Sequence, residues 1–359
     1  MISAHRFLKQ TCMFAVNVNK MKTLNIPCSA RTTMTDTQRL PRVLVTNPII
    51  PPAGVELLRT KCDVIIAEGN PKPTREEILS KSEGVDAILW ASHEPLNAEA
   101  LDRAGPQLKA VSTMSAGMDY VDVAEFKKRS IPLGHTPNVL SDAVADLAIG
   151  LLVSAARRFR EGYLKIVNDQ WDGFDPQWML GQDIKGSTVG IVGLGNVGQE
   201  IAKRLQGFKI GSILYTGHRE KEEGKQLGAT FVSFDDLLTR SDFVFVVCPL
   251  TNETRNLFDK TAFAKMKPTS VFINVSRGGV VVQDDLIEAL KNGTIFSAGL
   301  DVMTPEPLPP DHILTQLPNC VVIPHLGSAT NQTRNNMAKL AAQNVLNGIE
   351  GKPLIYSAY

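Results

Sequence analysis

Three polar segments near the end of the chain carry side chains suited to reducing a carbonyl group. Arg277 follows an apolar run, Glu306 lies in a proline-rich loop, and His325 follows a second apolar run. A guanidinium can hold a carboxylate through two hydrogen bonds while polarising a neighbouring carbonyl. An imidazole titrates near neutrality and can donate the proton that such a reduction needs. A carboxylate beside it would stabilise the charged ring and fix which nitrogen faces the substrate.

Each of these residues, considered alone, has a simpler interpretation than a catalytic role. An arginine at a strand end is often part of a surface salt bridge, and a single histidine is more often structural than catalytic. Among the other histidines, His5 lies in the N-terminal segment and His312 in a proline-rich loop, while His93, His135 and His218 have no comparable set of partners. The order of Arg277, Glu306 and His325 is what favours a catalytic trio.

A glycine-rich loop upstream of the trio has the spacing of a dinucleotide-binding turn. The loop consists of Gly193, Gly195, Asn196, Val197 and Gly198. Residues 187–192 before it alternate as a buried strand, and apolar residues after it recur at helical spacing. A strand-to-helix turn of this kind brings backbone amides and the positive end of a helix dipole to a pyrophosphate. The alternative is a tight turn that binds no ligand.

The end of the next strand indicates which dinucleotide is used. An acidic residue about 20 positions after the glycines normally bonds the ribose 2′-hydroxyl of NAD. This chain has Tyr-Thr-Gly-His218-Arg219 there, with Lys221 close by. Because no carboxylate in that segment would repel a 2′-phosphate, we predict NADPH as the cofactor and leave NADH use open. The alternative is that Arg219 is only a solvated residue at a helix start.

Composition excludes several classes of protein. The chain has 359 residues, 43% of them hydrophobic and 21% charged, which is typical of a globular protein of two domains. A net charge of +1 gives no indication of nucleic-acid or membrane binding. The five cysteines form no C-x-x-C pair and no metal-like spacing, so we expect reduced thiols and no metal site.

The first 33 residues differ from the rest in charge. They contain Arg6, Lys9, Lys20, Lys22 and Arg31 but no acidic residue. Basic, serine- and threonine-rich composition is typical of a mitochondrial presequence, which would place the protein in the mitochondrial matrix. The alternatives are an untargeted extension or a start at Met34, and then a cytoplasmic location. The short apolar run in this segment is too brief to span a bilayer.

Alternation of apolar runs and amphipathic stretches predicts an α/β fold with two Rossmann-like open parallel sheets. Strands are expected at 42–46, 63–67, 87–91, 109–113 and 131–134, and again at 187–192, 212–216, 230–232, 242–247, 270–274, 294–301 and 320–324. One long helix is predicted over 141–168, capped by Ser141 and Asp142, and a last helix over 328–350. The predicted units are 1–33 as the extension, 34–138 as the flavodoxin-like substrate domain, 139–326 as the inserted dinucleotide-binding domain, and 327–359 as a helix returning to the substrate domain.

These segments resemble the D-isomer-specific 2-hydroxyacid dehydrogenase family, in which Arg, Glu and His follow the glycine loop in the same order. The similarity extends from about residue 41 to the end and is strongest to the animal glyoxylate and hydroxypyruvate reductase branch. It implies that backbone amides of Ser115, Ala116 and Gly117 bind the substrate carboxylate. It further implies that the cofactor is lined by Pro249, Val275, Asp301 and Gly327, with Ser328 near the substrate. The family also implies domain closure and a homodimer, and the aromatic segment 170–178 favours an interface.

The sequence therefore predicts an NADPH-preferring reductase of small 2-oxo acids, converting hydroxypyruvate to D-glycerate and glyoxylate to glycolate. One alternative is an NAD-dependent D-2-hydroxyacid dehydrogenase with another substrate. A second is a nicotinamide-sensing binding protein, because a transcriptional corepressor also resembles this family.

Overall fold

Two parallel sheets, each covered by helices, make up the fold. The computed structural model describes residues 39–69 and 72–359, and Leu40–Tyr359 form one compact unit that contains both sheets. The predicted α/β class with two open parallel sheets is confirmed. The predictions for residues 1–33 lie outside the described residues and remain predictions.

The first lobe is built on five short strands and four helices. They are β1 (Arg42–Val45), α1 (Pro52–Arg59), β2 (Asp63–Ile66), α2 (Arg75–Lys81), β3 (Ala87–Trp90), α3 (Ala98–Ala104), β4 (Ala110–Thr113), α4 (Val123–Arg129) and β5 (Leu133–Gly134). The strand order is β2-β1-β3-β4-β5. Three of its helices begin where polar side chains accept the N–H of the residue three positions on, namely Thr74, Asn97 and Asp122.

The second lobe continues the alternation around seven strands. Its elements are α5 (Ser141–Ala156), α6 (Phe159–Val167), β6 (Thr188–Val192), α7 (Asn196–Gln206), β7 (Ser212–Thr216), α8 (Glu222–Gln226), β8 (Ala229–Phe231), α9 (Phe234–Arg240), β9 (Phe243–Val246), α10 (Lys260–Lys265), β10 (Val271–Asn274), α11 (Gln283–Lys291), β11 (Ser297–Leu300), α12 (Ile313–Gln316) and β12 (Cys320–Val322), with a 3₁₀ turn at Gly278–Val280. The order is β12-β11-β10-β9-β6-β7-β8, and its ladders are parallel.

The last helix returns to the first lobe. This helix, α13 (Asn331–Ile349), packs against α1 and against β3, β4 and β5. Its small residues Ala341 and Ala342 are fully buried with Val43 and Val45 of β1. The chain end is tied down as well, because Asn344 accepts the N–H of Ile355 at 2.9 Å. The second lobe is therefore inserted between two parts of the first.

The single long helix predicted over 141–168 is wrong. Two helices, α5 and α6, meet at Arg158, whose backbone has a left-handed φ of 57°. The Arg158 guanidinium bonds Glu161 at 2.8 Å and the carbonyl of Leu180 at 3.2 Å, so tertiary contacts stabilise the break. The predicted cap is also wrong, since Leu140 occupies the N-cap without a side-chain bond and Ser141 begins the helix.

Cys62, Cys248 and Cys320 are free and buried, as expected for thiols packed as small apolar side chains. Burial raises the pKa of Cys248 to about 11 and that of Cys320 to about 12. Over the residues described, no helix combines the length and apolar character needed to cross a bilayer.

Candidate active site

A cleft of about 720 Å³ contains most of the residues that the sequence singled out. Loops at the carboxyl ends of strands from both sheets line it, which is where ligands of open parallel sheets bind. The predicted residues on its walls are Ser115, Ala116, Gly117, Val197, Pro249, Val275, Arg277, Asp301, Glu306, His325, Gly327 and Ser328. The three candidate catalytic side chains therefore face one cavity.

His325 and Glu306 form a hydrogen-bonded pair on the wall of this cleft. The Nδ1 atom of His325 lies 2.8 Å from Oε2 of Glu306, and the N–H of Met303 donates to Oε1 at 3.1 Å. Burial alone would raise the pKa of Glu306, but the bonds from His325 and Met303 and the nearby positive charges outweigh it and lower that pKa. Glu306 therefore stays ionised and can stabilise a protonated imidazole, leaving Nε2 free to act as an acid.

The backbone around His325 is held in an unusual conformation. Its φ is 52°, a left-handed value that histidine tolerates better than most residues. The N–H of His325 donates to the carbonyl of Asp301 at 2.9 Å, and the Asp301 carboxylate accepts the N–H groups of Leu326 at 2.5 Å and Gly327 at 2.9 Å. Burial raises the pKa of Asp301, whereas these amides oppose the shift. Asp301, expected only to line the cofactor, thus also shapes the histidine loop.

Arg277 lies beyond β10 and reaches across to the first lobe. Its Nε donates to Oδ1 of Asp119 at 2.9 Å, and one of its Nη atoms donates to the carbonyl of Ser276 at 2.8 Å. The guanidinium lies so close to Gly117 that any side chain at that position would collide with it. Arg277 is therefore beside the loop expected to hold a substrate carboxylate.

Gly278, next to Arg277, allows two loops of the site to pack closely. A side chain at Gly278 would collide with the backbone carbonyl of Met303. The missing side chain lets the loop that carries Arg277 pack against the loop that carries Glu306. This contact helps to bring two predicted catalytic groups together.

His93 lies on the wall of the cleft next to His325. Its ring centroid is 6.1 Å from that of His325 and 6.0 Å from that of Tyr120. Loss of solvent around the ring and the positive charges of His325 and Arg277 lower the pKa of His93. A neutral imidazole therefore lies beside the candidate proton donor.

The glycine loop has the backbone that a dinucleotide needs. Gly193 has a φ of 101°, and a side chain there would come within 2.9 Å of the Cys248 backbone. The space around Gly195, at the start of α7, is open, so the first amides of that helix are accessible to an anion. Asn196 bonds Asn138 across the two lobes. The residues present fit a nicotinamide dinucleotide.

The end of β7 carries the basic residues expected to bind the adenosine ribose. His218 is exposed and its Nδ1 lies 3.7 Å from Oε2 of Glu253, a carboxylate that the sequence did not place there. Lys221 is turned to the glycine loop, where its Nζ donates to the carbonyl of Leu194 at 3.0 Å. Of the three basic residues, Arg219 therefore remains the best placed to meet a 2′-phosphate.

Several residues of the cleft wall were not predicted as site residues, and four of them have polar side chains that bear on the site. These are His93, Asp119, Tyr120 and Arg334. Asp119 and Tyr120 directly follow the Ser115 loop, so extending that motif would have found them. Arg334 lies in the last helix, and only the return of that helix to the first lobe brings it to the site.

Comparisons with known proteins agree with this geometry. A family model described as D-isomer specific 2-hydroxyacid dehydrogenase, NAD binding domain, matches residues 149–327. The chain is 45% identical over 318 residues to the human glyoxylate reductase/hydroxypyruvate reductase, covering 88% of this chain and 97% of that protein. It is 41% identical over 315 residues to the glyoxylate reductase of Thermofilum pendens, covering 87% of this chain and 92% of that protein. A crystal structure of an NADPH-dependent glyoxylate/hydroxypyruvate reductase from Sinorhizobium meliloti, in complex with NADP and malonate, superposes with a TM-score of 0.76 at 32% identity, covering 89% of this chain and 96% of that one.

Proposed function

The chain belongs to the D-isomer specific 2-hydroxyacid dehydrogenase family, and from this membership we propose that it reduces small 2-oxo acids with NADPH. It is an oxidoreductase with a nicotinamide-binding Rossmann domain. The leading substrates are hydroxypyruvate and glyoxylate, since relatives at 45% and 41% identity are named for reducing them. The observation that carries the proposal is that Arg277, Glu306 and His325 line one cleft next to the glycine loop.

Each member of the trio has one role in this mechanism. Arg277 holds the substrate carboxylate and polarises the 2-oxo group, with the amides of Ser115, Ala116 and Gly117 completing the anion site. Bound NADPH supplies the hydride that reaches the carbonyl carbon. His325 donates the proton to the carbonyl oxygen from Nε2, because Nδ1 is engaged by Glu306 at 2.8 Å. Glu306 orients the ring and stabilises its positive charge before the transfer.

The preference for NADPH is supported by charge at the end of β7. Arg219 is exposed and makes no hydrogen bond or salt bridge to the residues that the structure describes, so its guanidinium is available to a 2′-phosphate. Lys221 adds positive charge beside the glycine loop. Glu253 lies next to His218 and acts against a 2′-phosphate at that position. We weigh Arg219 and Lys221 as the stronger contribution.

The proposal is tested by following cofactor oxidation with glyoxylate, hydroxypyruvate, pyruvate and a bulkier 2-oxo acid. We expect turnover of the first two, and a higher kcat/KM for NADPH than for NADH. Turnover only with NADH would contradict the cofactor assignment. Negligible reduction of every 2-oxo acid would contradict the proposed function as a whole.

We also propose that the protein is a homodimer. Large apolar side chains are exposed along α6 and the segment that follows it: Phe159, Tyr163, Ile166, Val167, Trp171, Phe174, Trp178 and Leu180. Phe174 is 91% exposed, and α6 buries none of its residues within this chain. Exposed apolar patches of this kind mark association surfaces.

A further inference from the structure

A second cavity adjoins the reaction cleft. This side pocket has a volume of about 310 Å³ and shares His93, Met114, Ser115, Tyr120 and Arg334 with the cleft. The rest of its wall comes from the loops after β1 and β3: Asn47, Ile49, Ile50, Pro51, Trp90, Ala91 and Ser92. The first lobe, which carries no cofactor loop, therefore provides room next to the reacting groups.

Arg334 lies where the two cavities meet. Its side chain is partly buried, and it makes no hydrogen bond or salt bridge to any residue that the structure describes. Burial lowers its pKa, and the Asp301 charge only partly opposes this. It also lies one turn into α13, close to the positive end of the helix dipole, where a cation is disfavoured. Apart from the Asp301 charge, no residue in the described part of the chain offsets the cost of placing a guanidinium here.

The surroundings of Arg334 in the side pocket are polar but contain no carboxylate among the described residues. Ser115 Oγ donates to the carbonyl of Gly117 at 2.8 Å and shares a second bond with the Tyr120 hydroxyl at 2.7 Å. Burial raises the pKa of Tyr120, so this hydroxyl stays neutral. The pocket thus presents one cation and several neutral hydrogen-bonding groups.

We propose that the side pocket is a subsite for the substituent on the third carbon of the 2-oxo acid, and that Arg334 hydrogen-bonds an oxygen on that carbon. This inference rests on the proposed function. With the carboxylate at Arg277 and the 2-oxo group at His325, the substituent is directed to the shared wall of His93 and Arg334. A hydroxymethyl group gives the guanidinium its missing acceptor. With a methyl group on that carbon, the guanidinium stays desolvated and unpaired. A site built to hydrogen-bond a substrate hydroxyl discriminates in this way against the analogue that lacks the hydroxyl.

The test compares substrates that differ only at the third carbon in wild type and in Arg334→Met. Hydroxypyruvate has a hydroxyl there, pyruvate a methyl group, and glyoxylate has no third carbon. We expect Arg334→Met to lower kcat/KM for hydroxypyruvate roughly ten- to hundredfold, the loss typical of a hydrogen bond to a charged group. For glyoxylate we expect a change of less than about threefold, and for pyruvate no loss of kcat/KM, because the variant removes the unpaired guanidinium. Lys339→Met, an exposed position on the same helix, is the matched control for lost charge.

A binding measurement provides a readout independent of turnover. In the presence of NADP, the hydroxy acids D-glycerate and D-lactate should differ in the thermal shift they produce in wild type, and Arg334→Met should remove that difference. If Arg334→Met lowered kcat/KM equally for hydroxypyruvate, pyruvate and glyoxylate, Arg334 would serve the carboxylate or the fold, and the inference would be wrong. An unchanged kcat/KM for hydroxypyruvate in this variant would also overturn it. Both results differ from failure of the proposed function, in which wild type itself reduces none of these acids.

Discussion

At the scale of single residues, His325 can be replaced in a way that separates chemistry from structure. Asn tolerates the left-handed backbone at this position but cannot supply a proton near neutrality. We expect His325→Asn to lower kcat for glyoxylate reduction roughly hundredfold or more, while NADPH binding, followed by nicotinamide fluorescence, changes little. His312→Gln, outside the cleft lining, is the control. An unchanged kcat in His325→Asn would rule out the proton-donor role.

Asp119 is expected to position Arg277. Its Oδ1 accepts the Arg277 Nε–H at 2.9 Å, and both side chains are partly exposed, so the pair itself adds little stability. Misplacement of a catalytic group is costly, so we expect Asp119→Asn to raise KM for glyoxylate and lower kcat/KM roughly tenfold with nearly the same melting temperature. Asp102→Asn breaks a comparable pair with Arg129, far from the cleft lining, and should leave KM unchanged. A lower melting temperature with an unaltered KM would assign Asp119 a purely structural role.

The trio could be predicted from sequence because its members follow strands, and the carboxyl ends of parallel strands share one edge. To predict the place of Glu306, one further assumption was needed, namely that the proline-rich loop after β11 returns to His325. Arg334 could not be predicted, because its contact with the cleft depends on how α13 packs on another lobe. The proximity of His93 to His325 could not be predicted for a related reason, since the two residues are more than 200 positions apart in the sequence.

At the scale of elements, the end of β7 should determine cofactor choice. Arg219 offers a charge-assisted, two-point bond to a phosphate. We expect Arg219→Ala to raise KM for NADPH roughly tenfold and to change KM for NADH less than about twofold. Arg240→Ala, an exposed arginine at the end of α9, controls for the loss of one positive charge. Equal effects on both cofactors would argue against 2′-phosphate recognition by Arg219.

Local signals predicted most elements but not every boundary. Alternating apolar residues located the strands of both sheets. In the structure, side chains such as Thr74 and Asn97 cap helix starts by accepting backbone N–H groups. The break between α5 and α6 carries no glycine or proline. It is stabilised instead by bonds from Arg158 to Glu161 and to the distant Leu180 carbonyl, and helical periodicity gives no information on such contacts.

At the scale of the whole molecule, a partly buried histidine at the contact between the last helix and the first lobe should make stability depend on pH. Burial lowers the pKa of His135, partly opposed by a hydrogen bond to the Ala116 carbonyl, and the His135 carbonyl accepts a bond from Asn344 of α13 at 3.2 Å. Between the ordinary histidine pKa near 6.5 and the lower folded value, the unfolded chain binds a proton that the folded chain does not. The free energy of unfolding therefore falls as the pH decreases through this window.

We expect His135→Gln to flatten that part of the stability curve. Chemical denaturation of wild type and variant between about pH 7 and pH 5 measures the slope, and the variant should lose less stability on acidification. His218→Gln, which changes an exposed histidine, should retain the wild-type slope. Identical slopes for wild type and His135→Gln would show that this imidazole does not contribute.

The proposed dimer can be tested through the exposed aromatic residues that follow α6. Trp171 and Phe174 are 60% and 91% exposed, and burying such side chains against a second copy would contribute large apolar area. A charge at the centre of an interface is strongly disfavoured, so we expect Phe174→Asp to shift the molar mass measured by light scattering from dimer to monomer at micromolar concentration. Leu40→Asp introduces the same charge at a position that is 56% exposed in the first lobe, and should leave the dimer intact. A monomeric wild type would contradict the proposed dimer, and a Phe174→Asp variant that stays dimeric would place the dimer contact elsewhere. In either case the exposed apolar surface of α6 would need a different partner.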